Sequence, residues 1–312
     1  MGIRKVVVAG AGVLGSQIAF QSAYKGFEVM VWVRSEASIE RAKPKFERLA
    51  GIYESTLEAM KGDPGAYCRG LADSADQTPE AIDGLKEKAR AALQAIAFTT
   101  SYDEAAADAD LVIEAIAEDP AQKTEFYTAL APHLPEKTIV VTNSSTLLPS
   151  MFAASTGRPE KYLALHFANE IWRNNTAEVM GHEGTEQRFY DEVVRFAEAI
   201  GMVPLKLRKE QPGYILNSLL VPFLNAAQAL YATGVSDPET IDRTWMLATG
   251  APAGPFRILD VVGLVTAYNI VAMNPQAADS DTVPGKIAAL LKEKIDAGKT
   301  GVNAGEGFYT YR

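Results

Sequence analysis

The sequence predicts an α/β chain: a doubly wound parallel sheet followed by a smaller all-α unit. Three observations carry this. Short β-branched runs alternate with helical stretches as far as residue 207. A glycine-rich turn separates the first run from the first helix. After Pro212 the strand signal stops and helical patterning takes over. Alternating strands and helices favour a parallel sheet with helices on both faces. A length of 312 residues leaves room for about two domains. The change of pattern puts the boundary at 208–211, giving a sheet domain over 1–208 and a helical domain over 209–312.

Residues 5–9 are β-branched and end at glycine, so they read as a short buried strand. Residues 16–25 read as a helix with Gly26 as its C-terminal cap. A second strand follows over 28–33, then a helix over 38–60. The stretch 63–84 is polar, with Pro64, Pro79 and several glycines, and reads as a looser connection. Residues 85–95 are rich in Ala, Leu and Lys and predict a helix. Strands are expected at 97–100, 111–115, 138–142 and 162–166, and a last one at 203–207. Residues 177–180 form a further apolar, strand-like stretch.

Composition narrows the function classes. Apolar residues make up 47% and charged residues 22%, the balance of an ordinary globular protein. With 30 basic and 39 acidic residues the net charge is −9, which disfavours a polyanion partner, and no local basic patch offsets it. Cys68 is the single cysteine, so no internal disulfide can form, which fits a reducing cytoplasm. The start of the chain lacks a secretory pattern. Residues 211–236 carry no charge, but Asn217, Ser218, Pro222, Asn225 and Gln228 interrupt them, so they read as a buried helix rather than a membrane span. Only six charges fall in the 68 residues from 211 to 278, and a second copy of the chain is the simplest partner for so charge-poor a surface. A homodimer through the C-terminal domain is therefore expected.

The stretch Val6-Val7-Val8-Ala9-Gly10-Ala11-Gly12-Val13-Leu14-Gly15 matches G-x-G-x-x-G between a strand and a helix. Gly10 permits the tight turn, Gly12 lets backbone approach a pyrophosphate, and Gly15 lets helix and strand pack closely. The N–H groups at the helix start, around Val13 and Leu14, supply donors for phosphate. A Rossmann-type, dinucleotide-binding domain is the reading. NAD-binding chains usually carry an acid at the end of the second strand, where it holds the ribose hydroxyls. Here that position is Val33, followed by Arg34 and Ser35. An arginine clasps a 2′-phosphate bidentately and a serine donates to it, so NADP(H) is favoured. The alternative leaves Arg34 stacked on adenine with Glu36 reaching the ribose, and keeps NAD(H) open.

Three histidines are present: His133, His166 and His182. His133 and His182 fall in exposed-looking positions, before Pro135 and after Gly181. His166 ends an apolar strand, at the edge of a doubly wound sheet where ligands bind. Thr142-Asn143-Ser144-Ser145-Thr146 ends the preceding strand with hydroxyls and an amide that either cap a helix or bond a substrate oxygen. Glu178 lies in the apolar stretch 177–180 and needs a partner that His166 would supply. Asn217 brings an amide to the first helix of the second domain.

These residues resemble the 3-hydroxyacyl-CoA dehydrogenase family over nearly the whole chain. The glycine fingerprint is similar. So are Asp110-Leu111-Val112-Ile113-Glu114-Ala115 with Glu118 and Lys123, Asn143-Ser144-Ser145, and Leu165-His166-Phe167 with Glu178 twelve residues on. The second domain adds Pro212-Gly213-Tyr214-Ile215-Leu216-Asn217, Gly254-Pro255-Phe256 and Gly305-Glu306-Gly307-Phe308-Tyr309. The resemblance implies reversible hydride transfer between a nicotinamide and the 3-carbon of a 3-oxo or 3-hydroxy compound. It makes His166 the general acid/base, Glu178 its orienting carboxylate, and Ser145 and Asn217 donors to the reacting oxygen. Glu118, Lys123 and Asn143 fall where the family contacts cofactor and substrate.

Within the family the chain looks most like the diketoreductase branch. Positions where CoA-dependent members contact CoA with a serine and a lysine fall at Leu49 and Thr56 here. Arg173, after Trp172, either clasps a substrate carboxylate or is an exposed rim residue. Two other readings remain. A β-hydroxyacid dehydrogenase would need a lysine on the first helix of the second domain, and 212–222 has none. A catalytically silent, crystallin-like protein would not need an intact Ser145, His166, Glu178 and Asn217 set.

Overall fold

The computed structural model describes residues 2–311; Met1 and Arg312 lie outside the described residues. In chain order the first unit contains β1 (Lys5–Ala9), α1 (Val13–Tyr24), β2 (Glu28–Trp32), α2 (Glu36–Met60), α3 (Pro79–Ala95), β3 (Ala97–Thr99), α4 (Tyr102–Ala106), β4 (Leu111–Glu114), α5 (Pro120–Leu130), β5 (Ile139–Thr142), β6 (Tyr162–Phe167), β7 (Thr176–Gly181), α6 (Gln187–Ala199) and β8 (Val203–Leu207). The helix α7 (Tyr214–Ala232) follows, then α8 (Pro238–Thr249), α9 (Pro255–Val262), α10 (Leu264–Ala272) and α11 (Val283–Asp296). The compact units are Met1–Ile215 and Leu216–Arg312. Residues after β8 still pack on the sheet unit: the Gln211 N–H points at the Met180 sulfur, and Tyr214 is buried beside Ala164 and Met180.

The eight strands lie in the order β3-β2-β1-β4-β5-β6-β7-β8. The first six keep the doubly wound order, all parallel. The expected all-parallel sheet is corrected at one place: β7 runs antiparallel to β6, and β8 then pairs parallel with β7. No helix separates β6 from β7, so nothing forces the crossover that a parallel pair needs.

Alternation along the strands divides the core in two. Val6, Val8, Val29, Val31, Leu111 and Ile113 face a core shared with α1, α2 and α3. Val7, Ala9, Val112 and Val140 face the other, with Phe126, Tyr127 and Leu130 of α5. Strands buried on both faces explain the continuous β-branched runs. The expected loose stretch 63–84 is partly helix, because α3 begins at Pro79. Thr78 caps it by accepting from the Ala81 N–H, and a proline at the first helical position needs no N–H partner.

The second unit packs Leu224, Phe256, Leu259, Leu264, Ile287 and Leu291 into its own core. Two buried carboxylates organise it. Asp242 accepts from the Phe256 and Arg257 N–H groups, capping α9 from α8. Asp260 accepts from the Phe308 and Tyr309 N–H groups and the Tyr311 hydroxyl. A side chain at Gly254 or Gly307 would collide with Asp242 or Asp260, which explains both glycine motifs. The reading of 211–236 as a buried helix is corrected: Leu216, Leu219 and Leu230 on α7 are exposed. By length and composition α7 is apolar enough to cross a membrane.

Candidate active site

The glycine turn, Glu114, Asn143 to Ser145 and His166 lie at or just beyond the carboxyl ends of the parallel strands β1, β4, β5 and β6. The turn after β1 behaves as its glycines require. Gly10 has φ +110, and a Cβ there would sit 2.5 Å from the Ala115 carbonyl oxygen. A Cβ at Gly15 would sit 2.1 Å from the Gly10 oxygen, so helix and loop could not close up. Gly12 differs: a Cβ there meets no protein atom within 4 Å. Protein packing does not demand that glycine, whereas a pyrophosphate lying on the loop would. No side chain caps α1, so its first N–H groups around Val13 and Leu14 are available to an anion. The cradle therefore fits a dinucleotide.

The loop opens into a cleft of about 1110 Å³, whose lining includes Gly10, Gly12, Val33, Arg34, Lys123 and Asn143. Val33 is buried just after β2, its N–H donating to the Thr99 carbonyl. Arg34 is exposed, with Nη1 3.4 Å from Gln122 Oε1. Ser35 stands at the N-cap position of α2, where its side chain bonds no helix N–H and its Oγ lies 2.9 Å from Ser38 Oγ. Arg41 Nη2 donates to Ser38 Oγ at 2.8 Å, and Lys45 Nζ donates to the Ala11 carbonyl at 2.7 Å. Ser38, Arg41 and Lys45 all line the cleft and were not singled out in the sequence. Their i, i+3, i+7 spacing on one helix face was the available signal.

Beneath the cleft floor lies a buried polar network. Glu114, at the end of β4, accepts from the Ile116 N–H, Lys123 Nζ (2.6 Å), the Tyr127 hydroxyl and the Thr142 hydroxyl. Lys123 is 1% exposed and also lies 3.4 Å from Glu118. Burial alone would raise the Glu118 carboxyl. Donation from Ser144 Oγ, the Thr146 N–H and hydroxyl, and the charge of Lys123 outweigh it and hold that carboxyl below the usual range. Asn143 turns its Oδ1 to the Phe167 N–H, so it ties β5 to β6 as well as lining the cleft.

The structure brings Ser145, His166 and Glu178 together. His166 and Glu178 are direct partners across the antiparallel β6–β7 pair. His166 Nδ1 lies 3.1 Å from Glu178 Oε2, and its Nε2 lies 3.1 Å from Ser145 Oγ. Both ionisable side chains are buried. A carboxylate only accepts, so Nδ1 carries a proton; Nε2 accepts from Ser145 when it is unprotonated and is the proton donor when the ring is charged. Glu178 Oε1 also accepts from the Ile215 N–H. Such a set can move one proton at Nε2 while the carboxylate holds the ring.

Other candidates fall elsewhere. Asn217 lies on α7 in the second unit. Arg173 lies outside the cleft lining, exposed, with Nε 3.9 Å from Glu170. His133 pairs with Asp103 at 2.6 Å and stacks on Tyr102. His182 meets the Pro159 carbonyl.

A model of the 3-hydroxyacyl-CoA dehydrogenase NAD-binding domain matches residues 5–211, and one of the corresponding C-terminal domain matches 213–311. The chain belongs to the 3-hydroxyacyl-CoA dehydrogenase family. It is an NAD(P)-dependent oxidoreductase with a Rossmann domain and a helical C-terminal domain. Its relatives include the human mitochondrial hydroxyacyl-coenzyme A dehydrogenase, 32% identical over 99% of this chain and 92% of that one. A probable 3-hydroxybutyryl-CoA dehydrogenase of Bacillus subtilis is 30% identical over 100% and 98%. Among solved structures, a diketoreductase described as acting on dicarbonyl compounds is 48% identical, covers both chains fully and superposes with a TM-score of 0.86. Within this family the resemblance to the diketoreductase branch is therefore sustained.

Proposed function

We propose that this chain is an NADP(H)-linked reductase of free β-keto or β,δ-diketo compounds, with His166 as its general acid/base. The observation that carries the reading is the Ser145–His166–Glu178 set, buried and within hydrogen-bond reach end to end. A bound nicotinamide supplies or accepts the hydride. The protein's part is the proton and the charge. As negative charge grows on the substrate oxygen, the Ser145 hydroxyl donates to it and His166 Nε2 gives up its proton. Glu178 fixes the ring and offsets the positive imidazolium. In the oxidative direction neutral Nε2 takes the proton back.

Two observations favour a free dicarbonyl over a CoA thioester. Leu49 is buried in the core, and the Thr56 hydroxyl donates to the Ile52 carbonyl of its own helix. Neither offers a handle for a phosphorylated carrier. The diketoreductase neighbour supports the same choice. Arg34, Arg41, Lys45, Ser35 and Ser38 support NADP(H): three cations and two hydroxyls gather where a carboxylate would repel a 2′-phosphate. The exposed Leu219, Leu247, Val261 and Met273 of the second unit support a homodimer through that unit, which light scattering on the purified chain tests.

Coenzyme oxidation followed with a β,δ-diketo ester and with acetoacetyl-CoA tests the substrate claim. Turnover of the ester should exceed that of the thioester, and the reverse order defeats it. In V33D a carboxylate enters the phosphate position, so kcat/KM for NADPH should fall about tenfold or more while NADH is spared. Preference of the unchanged protein for NADH would end the cofactor claim.

A further inference from the structure

Tyr214 is the one non-glycine residue at the end of the first unit held at positive φ, +55, directly after Gly213 at +77. A tyrosine in that conformation is strained and persists only where its surroundings hold it. Three contacts do so. The ring stacks on His166, centroids 4.3 Å apart and planes 13° from parallel. The hydroxyl donates to the Ser144 carbonyl at 2.7 Å. The next N–H, of Ile215, donates to Glu178 at 2.9 Å. One backbone turn thus touches the acid/base, the carboxylate behind it and the loop that carries Ser145.

We infer that Tyr214 is a positioning residue for the hydride-transfer reaction, locking the His166 ring plane and the Ser144–Ser145 backbone into one unit. This rests on the reading of His166 as the acid/base. The ring acts on orientation: a parallel face leaves imidazole free to slide but not to tilt, so Nε2 stays directed at Ser145. The electron-rich face also favours the imidazolium that proton transfer creates. The hydroxyl acts on distance, since an anchor on the Ser144 carbonyl restrains Ser145 Oγ one residue on. Burial, with Glu118, Glu178 and Glu114 nearby, pushes the phenol far above its usual range, so the group remains an O–H donor. A core aromatic would need the ring alone. The bond from its hydroxyl to a loop carbonyl is what marks a second task.

The test uses Y214F, Y214L and H166Q in the full-length protein, with kcat, KM for coenzyme and the NMR shift of the His166 Cε1 proton. In Y214F the stack remains, so the upfield ring-current shift should persist while kcat falls about tenfold, one lost hydrogen bond, at unchanged coenzyme KM. In Y214L the ring-current shift should vanish and kcat fall about a hundredfold, as for a misplaced reacting group. Turnover of Y214L within threefold of the native protein overturns the proposal. If Y214L does not fold, Y214F decides alone, and kcat within twofold of native overturns it. H166Q separates the two claims. An inactive H166Q with an active Y214L defeats the positioning role only. An active H166Q defeats the acid/base reading, and with it any role for Tyr214 exerted through His166.

Discussion

The two units bury acidic side chains for opposite ends. In the second unit, Asp242 and Asp260 turn their oxygens to backbone N–H groups and tyrosine hydroxyls, fastening α9 and the segment 308–311. In the first unit, Glu114 at the end of β4 and Glu178 within β7 sit beside Lys123 and His166, and both of those partners face groups other than their carboxylate. A carboxylate whose partners are backbone amides is structural. One whose partner has another atom to offer is part of a site. Location follows the same division, because the parallel strands deliver Glu114 and His166 at one edge and the antiparallel register of β7 sets Glu178 opposite His166.

Substitutions on each side of this comparison should separate activity from stability. H166Q should lower kcat by about 10³-fold, within the usual span of general acid/base catalysis, with the melting curve little changed. A loss under tenfold would make His166 another structural residue and erase the contrast. D260A leaves buried N–H groups unpaired, so urea unfolding should show a loss of about 2–4 kcal/mol, and the same stability as native would remove the structural assignment. R34A sharpens the picture at the cleft rim. KM for NADPH should rise about tenfold and KM for NADH by less than twofold, whereas equal changes would assign Arg34 to the adenine instead.

The smallest effect concerns Glu118, whose carboxyl is held below the usual range by the Ser144 and Thr146 donors and Lys123. A lowered folded value means the stabilisation is fully present above the unfolded value of about 4.3 and disappears as pH falls through the folded one. E118Q lacks it. The gap in Tm between native and E118Q should therefore be widest above about pH 5 and close toward about pH 3. A gap that stays constant with pH contradicts the assignment.

Much of this was legible because strands buried on both faces leave unbroken β-branched runs, and the glycine turn has a fixed meaning between a strand and a helix. His166 and Glu178 stood out as polar residues in apolar runs. The direction of β7 was not legible: a short strand carries no mark of parallel or antiparallel pairing. The start of α3 was signalled by Thr78-Pro79, but proline at a first helical position and proline in a loop look alike without the cap bond. Arg41 and Lys45 were hidden among the ordinary surface charges of a long helix. Tyr214 was hidden differently, since a buried aromatic reads as core until its hydroxyl is seen on the Ser144 carbonyl.

The pairing of His166 with Glu178 across β6 and β7 has a consequence for how activity is lost. Slipping one strand by a residue turns its side chains to the opposite face, so no slightly shifted register keeps a weakened dyad. The acid/base geometry is quantised by the sheet. Mild denaturation should then reduce the number of working molecules while each survivor turns over at its full rate, and active-site titration would count the difference.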